Sequence, residues 1–332
     1  MNILFTSAGR RVELLRAFRT AYQALGLTGQ IVATDVDTLA PALHVADRTY
    51  IVPPCTSEVY IPTLVDVCVR EEIDLIFPLI DDDIPLLAAH RQTFLAAGAQ
   101  LGGVSADAAA ITADKWQTTQ FFERLGLATP CSTLPELFDP ACADYPVFIK
   151  PRDGSASKNA FMARNAGEAA FFLGYVPFPV IQEYLPGPEI TTDVVCGLDG
   201  RVLGIVSRQR IAVRGGEVVK GVTIQDEGIL DACQRIACAL PAVGPITVQC
   251  IMRDDVPCFT EINARFGGGI PLGIAAGVDA PLLLLADATG RPSNAAPLGT
   301  YQAGLYMTRY DDSFFLTEQQ RVQMAGNYLR SR

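Results

Sequence analysis

Phe259-Thr260-Glu261-Ile262-Asn263-Ala264-Arg265-Phe266-Gly267-Gly268-Gly269 joins a short apolar pattern to polar residues at alternate positions and a run of three glycines. Glu261 and Asn263 are two positions apart, so in a strand their side chains point to the same face. Such oxygen donors suit Mg²⁺, with Mn²⁺ as the alternative, because Mg²⁺ keeps waters and phosphate oxygens as its other ligands. The flanking residues are typical of a buried strand, which argues against an exposed polar face. The stretch predicts a strand with a metal site.

The segment just upstream predicts a partner strand. Residues 246–251 are apolar except for Thr247 and Gln249, and Asp254-Asp255 is a turn signal. Directly opposed residues of an antiparallel pair share a face, so Gln249 joins the metal site only if the hairpin loop has an odd number of residues. We predict an odd loop and take Gln249 as a third candidate ligand.

Two lysines occupy positions suited to anion contacts. Lys115 lies in the first turn of a predicted amphipathic helix, where a solvated surface charge is the ordinary alternative. Lys150 ends a predicted strand and precedes a small-residue loop, whose glycine, hydroxyls and N–H groups suit a phosphate clamp. A flexible hairpin loop is the alternative, and the sequence contains no Walker A motif. The loop residues are Gly154, Ser155, Ala156 and Ser157.

The segment 180–189 predicts a hinge between two lobes. An extended apolar run is interrupted there by proline and glycine. Its backbone groups are suited to contact an adenine edge, and Glu189 to accept a ribose hydroxyl. A surface turn is the alternative interpretation.

Residues 1–110 alternate short apolar runs with helical patterns, which predicts a parallel α/β sheet. The turn 6–11 follows the first strand, where backbone N–H groups hold anions, but the three-glycine dinucleotide fingerprint is missing. A dehydrogenase that uses NAD is therefore a weaker alternative. The run Asp81-Asp82-Asp83 is expected at the carboxyl edge of the sheet, where ligands bind, or as a helix cap with first-turn acids.

Composition excludes several classes of protein. The 332 residues are 49% hydrophobic, which excludes intrinsic disorder, and the net charge of −10 disfavours nucleic acid as a partner. Two histidines and nine cysteines, with no Cys-x-x-Cys pair, argue against a zinc site, a disulfide framework or a mechanism that needs several histidines. The sequence lacks an apolar run of about 18 residues, so no membrane segment is expected. The first residues enter a strand pattern without a leader, and we expect a cytoplasmic protein.

In combination and in this order, the motifs around Lys115, Lys150, residues 182–189 and residues 261–265 resemble the ATP-grasp superfamily. The pattern of Gln249, Glu261 and Asn263 is most similar to the large subunit of carbamoyl-phosphate synthase, in a short, single-unit form. The resemblance implies an α/β protein in which a Rossmann-like parallel sheet precedes a two-lobed ATP-grasp fold of α+β lobes. The implied domains are residues 1–110, a small lobe at 111–185 and a large lobe at 186–332.

The resemblance also implies the roles of individual residues. The phosphates of ATP would contact Lys115 and Lys150, with the loop 154–157 as a lid. The adenosine would contact the hinge residues Glu183, Tyr184, Leu185 and Glu189. Mg²⁺ would be held by Gln249, Glu261 and Asn263. The candidate catalytic residues are Arg265, Lys220 and Arg208, of which Arg265 would stabilise the transferring phosphoryl group.

The implied activity is that of an ATP-dependent carboxylate–amine ligase that forms an amide-type bond through an acyl-phosphate. Its partners would be ATP, a small carboxylate such as an amino acid, and an amine, with a homodimer as the assembly considered. The chain is too short for a duplicated carbamoyl-phosphate synthase and shows no repeat at that scale. A nucleotide-binding module without catalysis is the alternative from another class.

Overall fold

The computed structural model describes residues 1–154, 158–293 and 296–326. The strands are β1 (Ile3–Thr6), β2 (Ile31–Asp35), β3 (Arg48–Ile51), β4 (Leu75–Pro78), β5 (Gln100–Leu101), β6 (Ser132–Thr133), β7 (Val147–Pro151), β8 (Phe161–Ala163), β9 (Pro179–Glu183), β10 (Glu189–Cys196), β11 (Val202–Arg214), β12 (Glu217–Ile224), β13 (Gly244–Arg253), β14 (Val256–Asn263) and β15 (Tyr306–Thr308). The helices are α1 (Val12–Leu25), α2 (Tyr60–Arg70), α3 (Asp83–Ala89), α4 (Arg91–Ala96), α5 (Ala106–Ala113), α6 (Lys115–Arg124), α7 (Ala166–Tyr175), α8 (Glu227–Ala239), α9 (Ile270–Ala275), α10 (Ala280–Thr289) and α11 (Glu318–Gly326). No helix in these ranges is both long and apolar enough to cross a membrane.

The N-terminal sheet is parallel, with the strand order β3-β2-β1-β4-β5. Its central strands β1, β2 and β4 are buried along their whole length, as expected where helices cover both faces of a parallel sheet. Burial on both faces explains why these strands appear in the sequence as continuous apolar runs. The predicted parallel sheet is confirmed.

The rest of the chain forms two antiparallel sheets in the described ranges. The larger has the order β14-β13-β10-β11-β12-β15, and the smaller has the order β6-β9-β7-β8. Helix α8 packs on β10 and β11 and buries its apolar face against the larger sheet. The predicted α+β architecture of this region is confirmed. Each predicted domain range contains one of the sheets, and the boundaries at 110 and 185 stay a prediction.

The hairpin β13–β14 corrects one prediction. Its loop consists of Asp254 and Asp255, an even number, because Arg253 pairs with Val256. Both loop residues have positive φ, 48° and 66°, as a type I′ turn requires. The extra residue that we expected in the loop lies farther along the hairpin instead, because Cys250 pairs with Phe259 whereas Gln249 pairs with Glu261. This leaves Thr260 as the extra residue of a β-bulge, so the odd loop was wrong.

One apolar core connects the N-terminal sheet to the larger antiparallel sheet. Phe266, three residues after the end of the strand with the candidate metal ligands, is fully buried. Its ring centroid lies 5.7 Å from that of Phe18 on α1 and 5.4 Å from that of Phe77 on β4. This packing holds the end of β14 against the carboxyl edge of the parallel sheet.

Candidate active site

A row of four side chains crosses the larger sheet on neighbouring strands. Arg208 on β11 pairs with Thr191 on β10, Thr191 pairs with Gln249 on β13, and Gln249 pairs with Glu261 on β14. Opposed residues share a face of a sheet, so all four lie on the same side. The bulge at Thr260 is what brings Glu261 opposite Gln249, and thus onto this face.

A chain of polar contacts connects this row to its neighbours. Gln249 donates through Nε2 to Glu189 Oε1 at 2.8 Å, and Arg210 forms an ion pair with the same oxygen. Asn263 donates through Nδ2 to Gln249 Oε1 at 3.4 Å, and its own Oδ1 accepts from Arg265 at 3.2 Å. Two of the three predicted metal ligands, Gln249 and Asn263, therefore form one hydrogen-bonded group with the predicted catalytic Arg265.

Arg265 is also bound to the N-terminal sheet. Its NH2 group donates to Asp81 Oδ2 at 2.7 Å, across a separation of 184 positions. Asp81 lies in the loop after β4, at the carboxyl edge that the sequence indicated for the run 81–83. Asp83 is instead fully buried and accepts a hydrogen bond from Thr6. Of this run, Asp81 is the residue that reaches the site.

The small lobe contributes two lysines from the opposite side. Lys150 is the next-to-last residue of β7, and its amino group has no hydrogen bond among the described residues. Burial lowers the pKa of Lys150 to about 8; the charge of Lys115 acts in the same direction, and Glu261 opposes both. Lys115 donates to the carbonyl oxygen of Gly154 at 2.7 Å, which ties α6 to the start of the predicted phosphate loop. Ser155, Ala156 and Ser157 lie outside the described residues.

These groups line a cleft of about 330 Å³ between the small lobe, the larger sheet and the N-terminal sheet. The predicted site residues along its wall are Lys115, Lys150, Gly154, Arg208, Gln249, Glu261, Asn263 and Arg265. The cleft brings together side chains from positions 115 to 265, as the predicted phosphate and metal site requires.

The carboxylate of Glu261 is a free acceptor in this cleft. Within the described ranges it has no hydrogen bond and no ion pair, although Lys150 lies near enough to influence it electrostatically. The same face offers the amide oxygens of Gln249 and Asn263. An unpaired carboxylate beside two amide oxygens fits the preference of Mg²⁺ for hard oxygen ligands.

The predicted adenosine residues lie beside this cleft. The side chain of Glu183 binds Arg253 at 2.8 Å, and its backbone N–H donates to Cys131. The N–H of Leu185 is without a partner in the described part of the chain, whereas Tyr184 is 38% exposed. Glu189 uses Oε1 for its protein contacts. These residues are not among the cleft-lining set, and their contacts with ATP stay a prediction.

Arg208 forms a buried ion pair with Asp193 beneath the glycine run. The side chains are 2% and 3% exposed, and Thr247 donates to Asp193 at 3.2 Å. A Cβ at Gly267 would lie 2.7 Å from Asp193 Oδ1, and a Cβ at Gly269 would lie 2.4 Å from Arg208 Nε. The pair therefore supports the glycine run, and a role of Arg208 in the reaction stays a prediction.

Lys220 lies on the other face of the larger sheet. Arg208 and Arg210 point to the cleft, and their partners on β12 are Thr223 and Gly221. Alternation along the strand then turns Lys220 away from the cleft, and its side chain is exposed. Its assignment as a catalytic residue stays a prediction, which this placement does not favour.

Sequence reasoning missed two charged groups at or beneath the cleft, Asp193 and Glu217, and gave a third, Arg11, no role of its own. Asp193 lies in a strand pattern with no motif, and Glu217 is one residue of an ordinary hairpin. Arg11 belongs to the predicted anion turn 6–11, whose residues 7–11 were expected to contribute to substrate specificity, but it was given no individual role. The only signal in the sequence was a charge next to a turn or within an apolar strand, because the partners are distant along the chain.

Two family models match the chain. One describes a PylC-like N-terminal domain and covers residues 3–101, and the other describes an ATP-grasp domain "in the biosynthetic pathway with Ter operon" and covers residues 176–309. Residues 176–309 are thus identified as an ATP-grasp domain, and the chain as a whole is similar to proteins of the ATP-grasp superfamily. The ATP-grasp match covers β9 to β15 and with them the candidate metal ligands.

Curated ATP-grasp relatives match parts of their own length. A D-alanine–D-alanine ligase of Fusobacterium nucleatum is 35% identical over 109 residues, which are 33% of this chain and 36% of that protein. The arginine-specific large chain of carbamoyl phosphate synthase of Bacillus subtilis is 23% identical over 269 residues, 75% of this chain and 25% of that protein. The chain thus spans about a third of the first relative and a quarter of the second.

A solved structure shares the ATP-grasp fold over nearly the whole chain. It is the biotin carboxylase domain of the 2-oxoglutarate carboxylase of Hydrogenobacter thermophilus, a dimer in complex with MgADP, ADP and bicarbonate. The TM-score is 0.73 at 18% identity, with 92% of this chain and 73% of that chain covered. This likeness concerns the fold alone.

Proposed function

We propose that the protein is an ATP- and Mg²⁺-dependent ligase that joins a small carboxylate to an amine and releases ADP and phosphate. The observation that carries the proposal is the cleft itself, in which Lys115 and Lys150 face Glu261, Asn263 and Arg265. The relatives named as D-alanine–D-alanine ligase and carbamoyl phosphate synthase support the same class of reaction.

The residue types match the needs of carboxylate activation. A carboxylate is a poor electrophile, and transfer of the γ-phosphoryl group of ATP converts it into an acyl-phosphate with a good leaving group. The amine then attacks the acyl carbon, forms the carbon–nitrogen bond and displaces phosphate. Phosphoryl transfer requires positioning and charge neutralisation from the protein rather than a covalent nucleophile. The cationic groups of Lys115, Lys150 and Arg265 supply both.

The free carboxylate of Glu261, with Asn263 and Gln249, would hold Mg²⁺ or Mn²⁺. When bound there, the ion supplies further charge neutralisation for the phosphates. Asp81 keeps Arg265 directed at the same region through their hydrogen bond of 2.7 Å. In this proposal Arg265 contacts the phosphoryl group during transfer, and Asp81 is its positioning residue.

The adenosine would lie at the hinge. The carbonyl oxygen of Glu183 and the N–H of Leu185 would contact the adenine edge beside Tyr184, and Oε2 of Glu189 would accept a ribose hydroxyl. That oxygen has no partner among the described residues, because Arg210 and Gln249 both use Oε1. We extend the dimeric state of the H. thermophilus domain to this chain as a homodimer, which light scattering tests.

The test is release of ADP from ATP and Mg²⁺ across paired pools of small carboxylates and amines, with mass spectrometry of the product. We expect a product one water lighter than the acid and amine combined, and no turnover when EDTA removes the metal. Lys150→Ala and Glu261→Ala should abolish turnover, whereas Arg124→Ala and Glu58→Ala, at exposed positions outside the cleft, should retain it.

Full turnover by Lys150→Ala or Glu261→Ala would disprove the assignment of the site. Tight binding of ATP without ADP release from any pool would disprove the ligase and favour a nucleotide-binding module. Protection from heat by NAD rather than by ATP would favour the dehydrogenase.

A further inference from the structure

A second cleft of about 280 Å³ adjoins the first. Its walls come from the start of α1, the β11–β12 hairpin, β15 and the segment that follows β15. Four described residues line both clefts, namely Arg11, Glu217, Gly267 and Gly268. We call this set the junction. A molecule bound in the second cleft can therefore contact a ligand bound in the first cleft at the junction.

Arg11 presents unused hydrogen-bond donors at the junction. Its NH1 group is 3.5 Å from Glu217 Oε1, a loose ion pair, and no hydrogen bond to a described residue uses its guanidinium. Only 17% of the side chain is exposed. Burial lowers the pKa of Arg11 to about 10, and the positive charge of Arg265 acts in the same direction, so the group remains a cation at neutral pH. A desolvated guanidinium with free N–H groups is suited to bind a carboxylate.

Glu217 presents unused acceptors at the same place. Apart from Arg11, its charged neighbour is Arg309, whose NH1 group is 3.8 Å from Oε2. Neither distance corresponds to a hydrogen bond, so both carboxylate oxygens lack a donor among the residues that the structure describes. The junction therefore offers a cation and an anion side by side, each with unused hydrogen-bonding capacity.

The glycine run leaves the space that a ligand would need. A Cβ at Gly268 would lie 2.9 Å from Arg11 NH1 and 3.4 Å from the carboxyl carbon of Glu217. The carbonyl oxygen of Gly268 accepts from Arg309 at 2.7 Å, which fixes the run in place. Any larger residue at 268 would fill the space beside both charged groups.

The charges along the second cleft nearly balance. Its described lining includes five arginines and four acidic side chains. Such a wall favours a molecule that carries both charges over a polyanion, because complementary charges determine specificity. The volume suits a molecule of amino-acid size.

We propose that the junction binds an α-amino acid, with its carboxylate on Arg11, its ammonium group on Glu217 and its side chain in the second cleft. The inference rests on the proposed function only in making this amino acid one of the two substrates. Arg11 and Glu217 are then substrate-binding residues supplied by the N-terminal domain and the β11–β12 hairpin.

The experiment measures binding separately from turnover. The thermal unfolding midpoint is recorded against increasing amounts of an equimolar mixture of the twenty common L-amino acids, with and without MgADP. The same mixture as N-acetyl derivatives, which lack the ammonium group, and as amides, which lack the carboxylate, provides the chemical controls. We expect free amino acids to raise the midpoint and both derivative mixtures to fail.

Arg11→Gln and Glu217→Gln should each raise the half-saturating concentration by about tenfold or more. Arg124→Gln and Glu123→Gln, which make the same substitutions on exposed residues, should leave that concentration unchanged. The unliganded midpoints report whether each variant folds, and Arg11→Lys, which keeps the charge, should bind with intermediate strength.

Equal stabilisation by the derivative mixtures, or unchanged binding in folded Arg11→Gln and Glu217→Gln, would overturn the inference. ADP release with acid and amine pools but no binding of amino acids would overturn it and leave the proposed function intact. Binding of amino acids without any ADP release would support the junction site and contradict the ligase.

Discussion

Lys150 places a positively charged amino group at a site where water solvates it poorly. Its amino group has no hydrogen bond in the described part of the chain, and burial lowers its pKa to about 8. A phosphate group would restore what burial removes, because its oxygens supply both negative charge and acceptors. In the protein without ligand, the environment of Lys150 therefore favours the binding of an anion at this position.

The pKa of Lys150 predicts how ATP binding depends on pH. The side chain of Lys150 is cationic at pH values below its pKa of about 8 and neutral at higher pH. Its protonated fraction therefore falls roughly tenfold between pH 7 and pH 9. The association constant for MgATP, measured by titration calorimetry, should fall by a similar factor. Lys150→Arg should remove the pH dependence because a guanidinium stays charged, whereas Lys158→Arg should retain it. A pH-independent affinity in the unmodified protein would contradict this role.

At the residue scale, residue type was more predictable than residue orientation. Glu261 and Asn263 were assigned correctly to one face because they are two positions apart in a strand. Arg208 and Lys220 were selected through the ATP-grasp resemblance, as cationic residues on the two strands of one predicted hairpin. The register of β11 with β12 buries the first beside Asp193 and turns the second outward. Register depends on the turn and on bulges, which the sequence pattern does not reveal.

At the scale of elements, the hairpin β13–β14 reaches the predicted facing of Gln249 by another route. The separation between Gln249 and Glu261 requires one unpaired residue somewhere between them. A two-residue turn with positive φ matches the twist of the strands, so the extra residue moves into the bulge at Thr260. The sequence predicts that one residue between Gln249 and Glu261 is unpaired, but it does not predict where in the hairpin that residue lies.

The connection between β9 and β10 predicts a stability effect at Gly187. A Cβ at this position would lie 1.6 Å from the carbonyl oxygen of Met252, which is backbone and cannot rotate away. Gly187→Ala should therefore lower the free energy of unfolding by about 2–3 kcal/mol, in the range of overpacked sites. Urea denaturation measures the change, and weaker MgATP binding should accompany it because the hinge shifts.

Gly174→Ala is the matched control for Gly187→Ala. Gly174 lies in α7, and a Cβ there would meet no atom within 4 Å. Alanine is preferred over glycine inside a helix by about 0.5–1 kcal/mol, so this variant should be slightly more stable. Equal effects of the two substitutions would show that the contact with Met252 is not the cause.

At the scale of the whole molecule, the site depends on how the N-terminal sheet packs on the larger antiparallel sheet. Phe266 joins the two through Phe18 and Phe77, and the hydrogen bond from Arg265 to Asp81 spans the same boundary. The apolar contact holds the charged contact in position one residue away. Stability and site geometry are thus coupled at this boundary.

Phe266→Ala should lower the free energy of unfolding by about 3–5 kcal/mol, the usual cost of removing a buried phenylalanine side chain. Urea denaturation followed by circular dichroism measures this change. Phe171→Ala, at a position that is 67% exposed, should change the free energy by less than about 0.5 kcal/mol. A small effect at Phe266 would mean that the two sheets do not depend on this contact.

The sequence by itself determined the parallel sheet of residues 1–110, the order of the ATP-grasp motifs and the shared face of Glu261 and Asn263. These are local properties, since apolar periodicity and alternation act over a few residues. Only the tertiary structure paired Arg265 with Asp81, buried Arg208 against Asp193 and placed Arg11 beside Glu217. Each of these contacts depends on strand register or on the packing of separate sheets, which is set by apolar surfaces far apart in the chain.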